Sequence, residues 1–371
     1  MNIDFQSSER ASLGVEMELA IVDRETGELV SVASEILPTL YEQGHTKAKH
    51  ELLECTVEII TDVCTTVGEA REDLQGTLDA LRVQTDRRNL EIMCAGTHPF
   101  SDWAKQQISP DPRYHELIEE MQWLARRLQI FGIHVHVGVR SPEKAIAISN
   151  ALAGYIPHFL AMSASSPYWV GVDTGLASAR SKVFEALPTA GLPYQLDGWP
   201  EFEQFMTTLV CANAIRTIRE VWWDIRPHPN FGTIELRICD GAPTMSEVAA
   251  IAALGQCLVD WMDGLDDRGY TLPRYSPWII RENKWRAARH GMDAEIVIDE
   301  GGGLRPLREA IDELVEELGP TAKRLDCEKE LLFVKQMAAR PSYVRQRAIV
   351  ADGGTVVDVV DALVNELRQD A

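Results

Sequence analysis

Three segments of this chain alternate apolar and polar residues with a period of two, and their polar positions carry acids, imidazoles and a guanidinium. Over 13–21 the odd positions are Leu13, Val15, Met17, Leu19 and Ile21, and the even ones are Gly14, Glu16, Glu18 and Ala20. Over 133–139, Ile133, Val135, Val137 and Val139 alternate with His134, His136 and Gly138. Over 233–239, Ile234, Leu236 and Ile238 alternate with Thr233, Glu235, Arg237 and Cys239. Successive side chains of a strand point to opposite faces, so each segment can bury one face and present reactive groups on the other. That pattern suits an antiparallel sheet with one core face and one polar face. For a single strand, a solvated polar face is the ordinary reading. Glu and His in place of Lys, Thr and Ser, flanked by the small residues Gly14, Ala20 and Gly138, favour close approach of something else.

If the three polar faces converge, Glu16, Glu18 and Glu235 lie together, joined by one or more of Glu51, Glu54 and Glu58. Two unit charges about 4 Å apart repel by roughly 4 kcal/mol at an effective dielectric of about 20. Such a cluster calls for protons or cations. Hard oxygen donors with an imidazole suit Mg²⁺ or Mn²⁺ better than zinc. On an ideal strand Glu54 and Glu58 share one face and Glu51 takes the other, so the pattern leaves open which of the three serves the site.

Elsewhere the pattern predicts a turn over 23–28, a returning strand over 29–33, and an ambiguous stretch over 51–63. Helices are expected over 68–93, 112–129 and 142–163, with Pro142 suited to a first turn. A strand is expected over 130–139. The Pro- and Gly-rich stretch 165–200 reads as a long loop framing a binding surface. Helices over 245–263, 304–318, 321–338 and 356–367 follow the strand at 233–239. The absence of a strict βαβ alternation favours an α+β fold.

The balance of 36 basic against 57 acidic residues, a net charge of -21, argues against nucleic acid or an anionic membrane as partner. Seven scattered cysteines without Cys-x-x-Cys spacing argue against a disulfide framework or structural zinc and for a reducing cytoplasm. No apolar leader core opens the chain, and its apolar runs are interrupted or short, so no membrane association is expected. Neither G-x-x-x-x-G-K-[ST] nor G-x-G-x-x-G occurs, and the glycine run at 301–303 reads as a loop. A bound nucleotide would therefore need metals and arginines around its phosphates.

In order along the chain, GVEMELAIVD, ELLECTVEIITDV, FGIHVHVGV, WWDIRPHPNFGTIELRICD and ENKWRAARHG resemble the carboxylate–amine ligases of the glutamate–cysteine ligase type 2 family, over about residues 12–365. The resemblance implies the fold of glutamine synthetase and the guanido kinases: a curved, mainly antiparallel sheet backed by helices, with the active site on its concave face. It implies one catalytic domain over 1–371 with a helical part from about 270, ATP and two or more Mg²⁺ (or Mn²⁺) ions, and a homo-oligomer. Its reaction joins a small-molecule carboxylate to an amine through an acyl phosphate, with glutamate and cysteine as the default pair.

By the same resemblance, Glu18, Glu51 and Glu58 hold one metal, and Glu16, His134 and Glu235 hold another. His136 would lie beside His134, near the phosphates or the activated substrate. Arg226 and Arg237 would stabilise the transferred phosphate and the bound carboxylate, and Arg180 would frame the acceptor site. The commoner first block of the family has three consecutive acids. Met17 replaces the middle one, at a position that alternation points to the core.

The other candidates are read as follows. Trp222, Trp223, Tyr168 and Trp169 stack on a base, shape a substrate pocket, or pack. Arg281, Lys284, Arg286 and Arg289 contact phosphate or line a solvated helix face. His228 positions a loop, Asp173 and Thr174 bind an amine or cap a loop, and Asp240 caps a turn. Rival functions are a two-metal hydrolase, a guanidino-group kinase and a non-catalytic metal- or nucleotide-binding regulator.

Overall fold

The computed structural model describes residues 3–370. Its strands are β1 (Leu13–Asp23), β2 (Ala48–His50), β3 (Thr56–Ile60), β4 (Leu90–Met93), β5 (Ile133–Gly138), β6 (Tyr168–Trp169), β7 (Val172–Asp173), β8 (Ile225–His228), β9 (Thr233–Leu236), β10 (Glu295–Val297) and β11 (Leu304–Pro306). Seven of them form one antiparallel sheet in the order β2-β3-β1-β5-β9-β8, with β4 also paired to β1. The pairs β6–β7 and β10–β11 are separate small ribbons.

The apolar sides of β1, β5 and β9 are buried in a single core with the helices Val67–Asp86 and Met245–Asp267. Gly255 lets the second helix press on the sheet: a Cβ there would lie 2.7 Å from Leu236 Cδ1. The runs Pro142–Ser163 and Met245–Asp267 are long and apolar enough to cross a membrane, but 83% of each apolar window is buried inside the protein. Their hydrophobicity serves this core.

The curved sheet with a concave active face is corrected. The sheet is open, and no part of it is strongly curled. Coiling accumulates along long strands or at bulges. Here only β1 exceeds six residues, and its registers with β3 and β5 run without interruption.

Other differences have local causes. The helix expected over 68–93 stops at Asp86, Asn89 takes φ 58°, and β4 follows on the edge of β1 beyond β5. The helix expected over 112–129 breaks at Gln122, whose φ is 48°, into Pro112–Met121 and Trp123–Arg126. The strand expected over 29–33 reduces to one bridge from Val22 to Leu29, and a helix starts at Ala33. β8 escaped the pattern because Pro227 and Pro229 argue against a strand. They are tolerated because β8 is the last strand of the sheet.

Candidate functional site

The registers place the reactive residues in rows across the polar face. Glu18 lies opposite Glu58, Glu16 opposite His134, and Gly14, His136, Glu235 and Arg226 form one continuous row from β1 to β8. Directly opposite residues share a face, with Cα atoms about 4.5–5.5 Å apart. Three groups of potential ligand atoms result: Glu16, His136 and Glu235; Glu16, Glu58 and His134; and Glu18, Glu51 and Glu58. Within each group these atoms lie within 4.8 Å of one another.

The imidazole that joins Glu16 and Glu235 is thus His136, whereas the sequence expectation used His134. His136 Nε2 is buried with no hydrogen-bond partner, 3.4 Å from Glu16 Oε1 and 3.8 Å from Glu235 Oε1. Its Nδ1 lies 3.0 Å from Thr233 Oγ1. Donation from Nδ1 to that hydroxyl would leave the Nε2 lone pair facing the acids, as a metal-ligating histidine requires. His134 Nδ1 is 2.9 Å from Glu16 Oε2. The ambiguity over 51–63 resolves as well. Glu51 and Glu58 face Glu18, while Glu54 turns away and accepts hydrogen bonds from Ser34 N at 3.1 Å and Ser34 Oγ at 2.7 Å.

The electrostatics split the acids into two kinds. Burial, reinforced by Glu51, pushes Glu18 up to about 8. Burial and the charges of Glu16, Glu51 and Glu18 hold Glu58 well above the carboxylate range. Glu51 is raised, chiefly by burial. Burial also works to raise Glu16 and Glu235, but it is outweighed. The hydrogen bond to His134 and the nearby His136 imidazole hold Glu16 low, and Arg237 with Arg226 holds Glu235 well below its usual range. One end of the face is therefore short of positive charge, and the other is ion-paired.

The three arginines differ in what they have free. Arg226 donates Nε and Nη2 to Glu235 Oε2 at 2.8 and 2.6 Å, and its Nη1 donates to the carbonyls of Ile218, Arg219 and Val221. It is saturated, and its geometry fixes Glu235. Arg237 donates Nη1 to Glu235 Oε1, but its Nε is buried without a partner. Arg180 reaches the carbonyls of Ile238 and Arg237 at 3.3 Å each, and its Nε is also unpartnered. Gly132 makes room for it, since a Cβ there would lie 2.1 Å from Arg180 Nη2.

Asp240 is more than a turn cap. It is fully buried and accepts from Ser165 N at 3.0 Å, Ser166 Oγ at 2.6 Å and Ser178 Oγ at 2.8 Å, with Arg180 Nη1 4.0 Å away. It ties the loop 163–181 to the end of β9 and so positions Arg180. Asp240→Ala would strand three donors and a cation. A loss of about 3–5 kcal/mol is expected, read by calorimetry or urea unfolding.

The remaining candidates are placed as follows. His228 stacks on Phe231 at 4.2 Å and 8°, with His136 edge-on to both. Asp173 pairs with Arg347, and Thr174 Oγ1 donates to Pro167 O, so both fasten a loop. Lys284 is not on a solvated face. It is 3% exposed and holds Asp224 at 2.7 Å and Glu185 at 3.1 Å. Arg286 pairs with Glu282, and Arg289 donates to Gly175 O. Trp223 is buried on the wall of a cavity of about 450 Å³. Neither Lys284 nor Asp240 sits in a strand-periodic pattern, so no local signal separated them from surface residues.

The α+β fold is shared with solved enzymes. A glutamate–cysteine ligase from Francisella tularensis, solved in complex with AMP, superposes with a TM-score of 0.71 at 12% identity, covering 98% of this chain and 90% of that one. A bifunctional glutathione synthetase from Pasteurella multocida gives 0.64 at 14% identity, over 96% of this chain and 52% of that one. These likenesses concern the fold.

The sequence itself matches the model of glutamate–cysteine ligase family 2 over residues 12–347. A protein of Frankia alni, provisionally named glutamate–cysteine ligase 2-1, is 58% identical over 99% of this chain and 98% of its own length. One from Thermobifida fusca, provisionally named glutamate–cysteine ligase 2, is 52% identical over 100% of this chain and 94% of its own. The chain belongs to glutamate–cysteine ligase family 2.

Proposed function

We propose that the polar face of the sheet makes an amide by way of an acyl phosphate, with Glu16 and Glu18 dividing the work between two cation sites. The protein is an ATP-dependent carboxylate–amine ligase of the glutamate–cysteine ligase type 2 kind. The observation that carries the reading is the pairing, on one face, of ligand groups short of positive charge with two arginines whose buried Nε–H groups are free. The unpartnered Nε2 of His136 and the raised acids at 18, 51 and 58 fit divalent cations.

Glu18, Glu51 and Glu58 would hold one cation, and Glu16, His136 and Glu235 another. Cations bound there, Mg²⁺ or Mn²⁺, would supply positive charge to the β- and γ-phosphate oxygens of ATP. His134 orients Glu16. Arg226 is a positioning residue that fixes Glu235. Arg237 and Arg180 stabilise the charge that develops on the transferred phosphoryl group and its carboxylate acceptor. A carboxylate is a poor electrophile, and its phosphoryl ester gives the amine a leaving group. The exposed ring of Phe231, backed by His228, offers a flat surface at the β5–β9 end for the base of the nucleotide.

The test is trapping. With Mg-ATP, hydroxylamine and a panel of carboxylates beginning with L-glutamate, one hydroxamate is expected per ADP released, and neither without the carboxylate. Metal-dependent cleavage of phosphoesters or amides without any ADP would defeat the reading.

A further inference from the structure

The cavity of about 450 Å³ beside the arginine end of the face has walls and charge that suggest what enters it. Glu185 and Trp223 line it, and Phe184 and Asp224 are their neighbours in the chain. These neighbours touch the reaction end of the sheet. The guanidinium carbons of Arg237 and Arg180 lie 6.0 and 5.8 Å from the centre of the Phe184 ring. The backbone N–H of Arg237 donates to Asp224 O at 2.8 Å. The aromatic shelf at Phe231 stands at the opposite end, because β8 and β9 pair His228 with Thr233 there and Ile225 with Leu236 here. The cavity therefore belongs to the end where carboxylate and amine meet.

One side of it is apolar and aromatic: Tyr194, Phe205, Leu209, Trp223 and Trp285 face it. Tyr194, Phe205 and Trp223 contact one another at 5.1–5.7 Å, which makes a preformed wall. The charged lining is three cations, Lys182, Arg281 and Lys284, against the single acid Glu185. Lys182 holds Glu185 at 2.8 Å, and Lys284 holds Glu185 and Asp224. Arg281 has no carboxylate partner among the described residues. In a chain of net charge -21 this is a local positive spot at an apolar pocket of ligand-binding size.

We infer that this cavity is the acceptor subsite, and that it takes an amine with a bulky aromatic or branched apolar body and an anionic group. A large apolar α-amino acid is the simplest member of that class. The anionic group is held by Arg281, the apolar body lies against Trp223, Tyr194 and Phe205, and the amine points toward the Arg237 end. Cysteine would fill only a small part of the space. The inference rests on the ligase reading above and extends it to the acceptor.

Two measurements separate the inference from that reading. The first needs no turnover. Trp223 and Trp285 line the cavity, so L-phenylalanine titrated into the protein should change tryptophan fluorescence in a saturable way, and L-cysteine should bind at least ten-fold more weakly. Arg281→Gln should weaken the phenylalanine signal at least five-fold. The second is competition at the acyl phosphate. Wild-type kcat/KM should be at least ten-fold higher for L-phenylalanine than for L-cysteine. Leu209→Trp, which narrows the cavity, should lower the ratio of kcat/KM for phenylalanine to that for hydroxylamine at least ten-fold. No hydroxamate with any carboxylate would remove the ligase reading and the inference with it. Hydroxamate formation with a preference for cysteine, with a ratio unmoved by Leu209→Trp, or with a phenylalanine signal unmoved by Arg281→Gln, would overturn the acceptor assignment and leave the ligase reading intact.

Discussion

Glu58→Gln is expected to lower turnover by about 10²–10³-fold while the chelator-treated protein melts at the same temperature as the parent or higher. Glu58 is half-buried among Glu16, Glu18 and Glu51, and burial together with their charges raises it well above the ordinary carboxylate range. A group raised on folding opposes folding wherever the unfolded chain is ionised. The substitution therefore relieves a destabilisation that is present above about pH 5 and vanishes below about pH 4, where the unfolded carboxyl is protonated as well. Thermal melts in EDTA at pH 8 and pH 4, set beside ADP release in Mg²⁺, check both halves. A variant less stable at pH 8 yet fully active would mean that Glu58 is an ordinary structural acid. Residues that cost stability and support activity mark a functional site.

Glu235→Gln is expected to fail in the opposite way, losing both fold stability and activity. Glu235 is fully buried and is the counter-charge for Arg226 and Arg237 at once. The neutral amide that replaces its carboxylate would leave two buried guanidinium groups without an anion. Breaking one partner of such a pair costs about 3–5 kcal/mol, which corresponds to a fall of roughly 4–6 °C in Tm for a chain of this size. The double variant Glu235→Gln/Arg226→Met should recover much of the stability and none of the turnover. Recovery of activity as well would show that Glu235 serves only to neutralise Arg226. Two acids on one face thus have opposite effects on folding, and the difference lies in their neighbours.

Much of the site was legible because strand alternation is a strict rule. Glu16, Glu18, His134, His136, Glu235 and Arg237 were separable from the core by parity alone, and the structure keeps all six on the polar face. Parity does not fix register. His136 rather than His134 meets Glu235 because β5 and β9 pair His136 with Glu235, an offset no local pattern encodes. Glu51 joins Glu18 although it lies outside any strand, and Glu54 is drawn off by Ser34, a competition visible only when the helix start at Ala33 is in place. The helix expected through residue 93 illustrates the same limit. The residues of β4 fit a helical stripe, but pairing with β1 satisfies their backbone groups.

By itself, then, the sequence determined that this protein would build an antiparallel sheet with one apolar and one acid–imidazole face, and its ordered motifs placed it in its family. Periodicity and motif order are local properties, set by side-chain direction and by residues close along the chain. Only the tertiary structure decided how those faces are used. It left the sheet open, set the register that makes three ligand groups, saturated Arg226 and left Arg237 and Arg180 each with a free N–H, and buried Asp240 and Lys284 as hidden ties. It also opened the aromatic cavity walled by Trp223. Each of these joins residues tens to hundreds of positions apart, so each depends on which surfaces exclude water together.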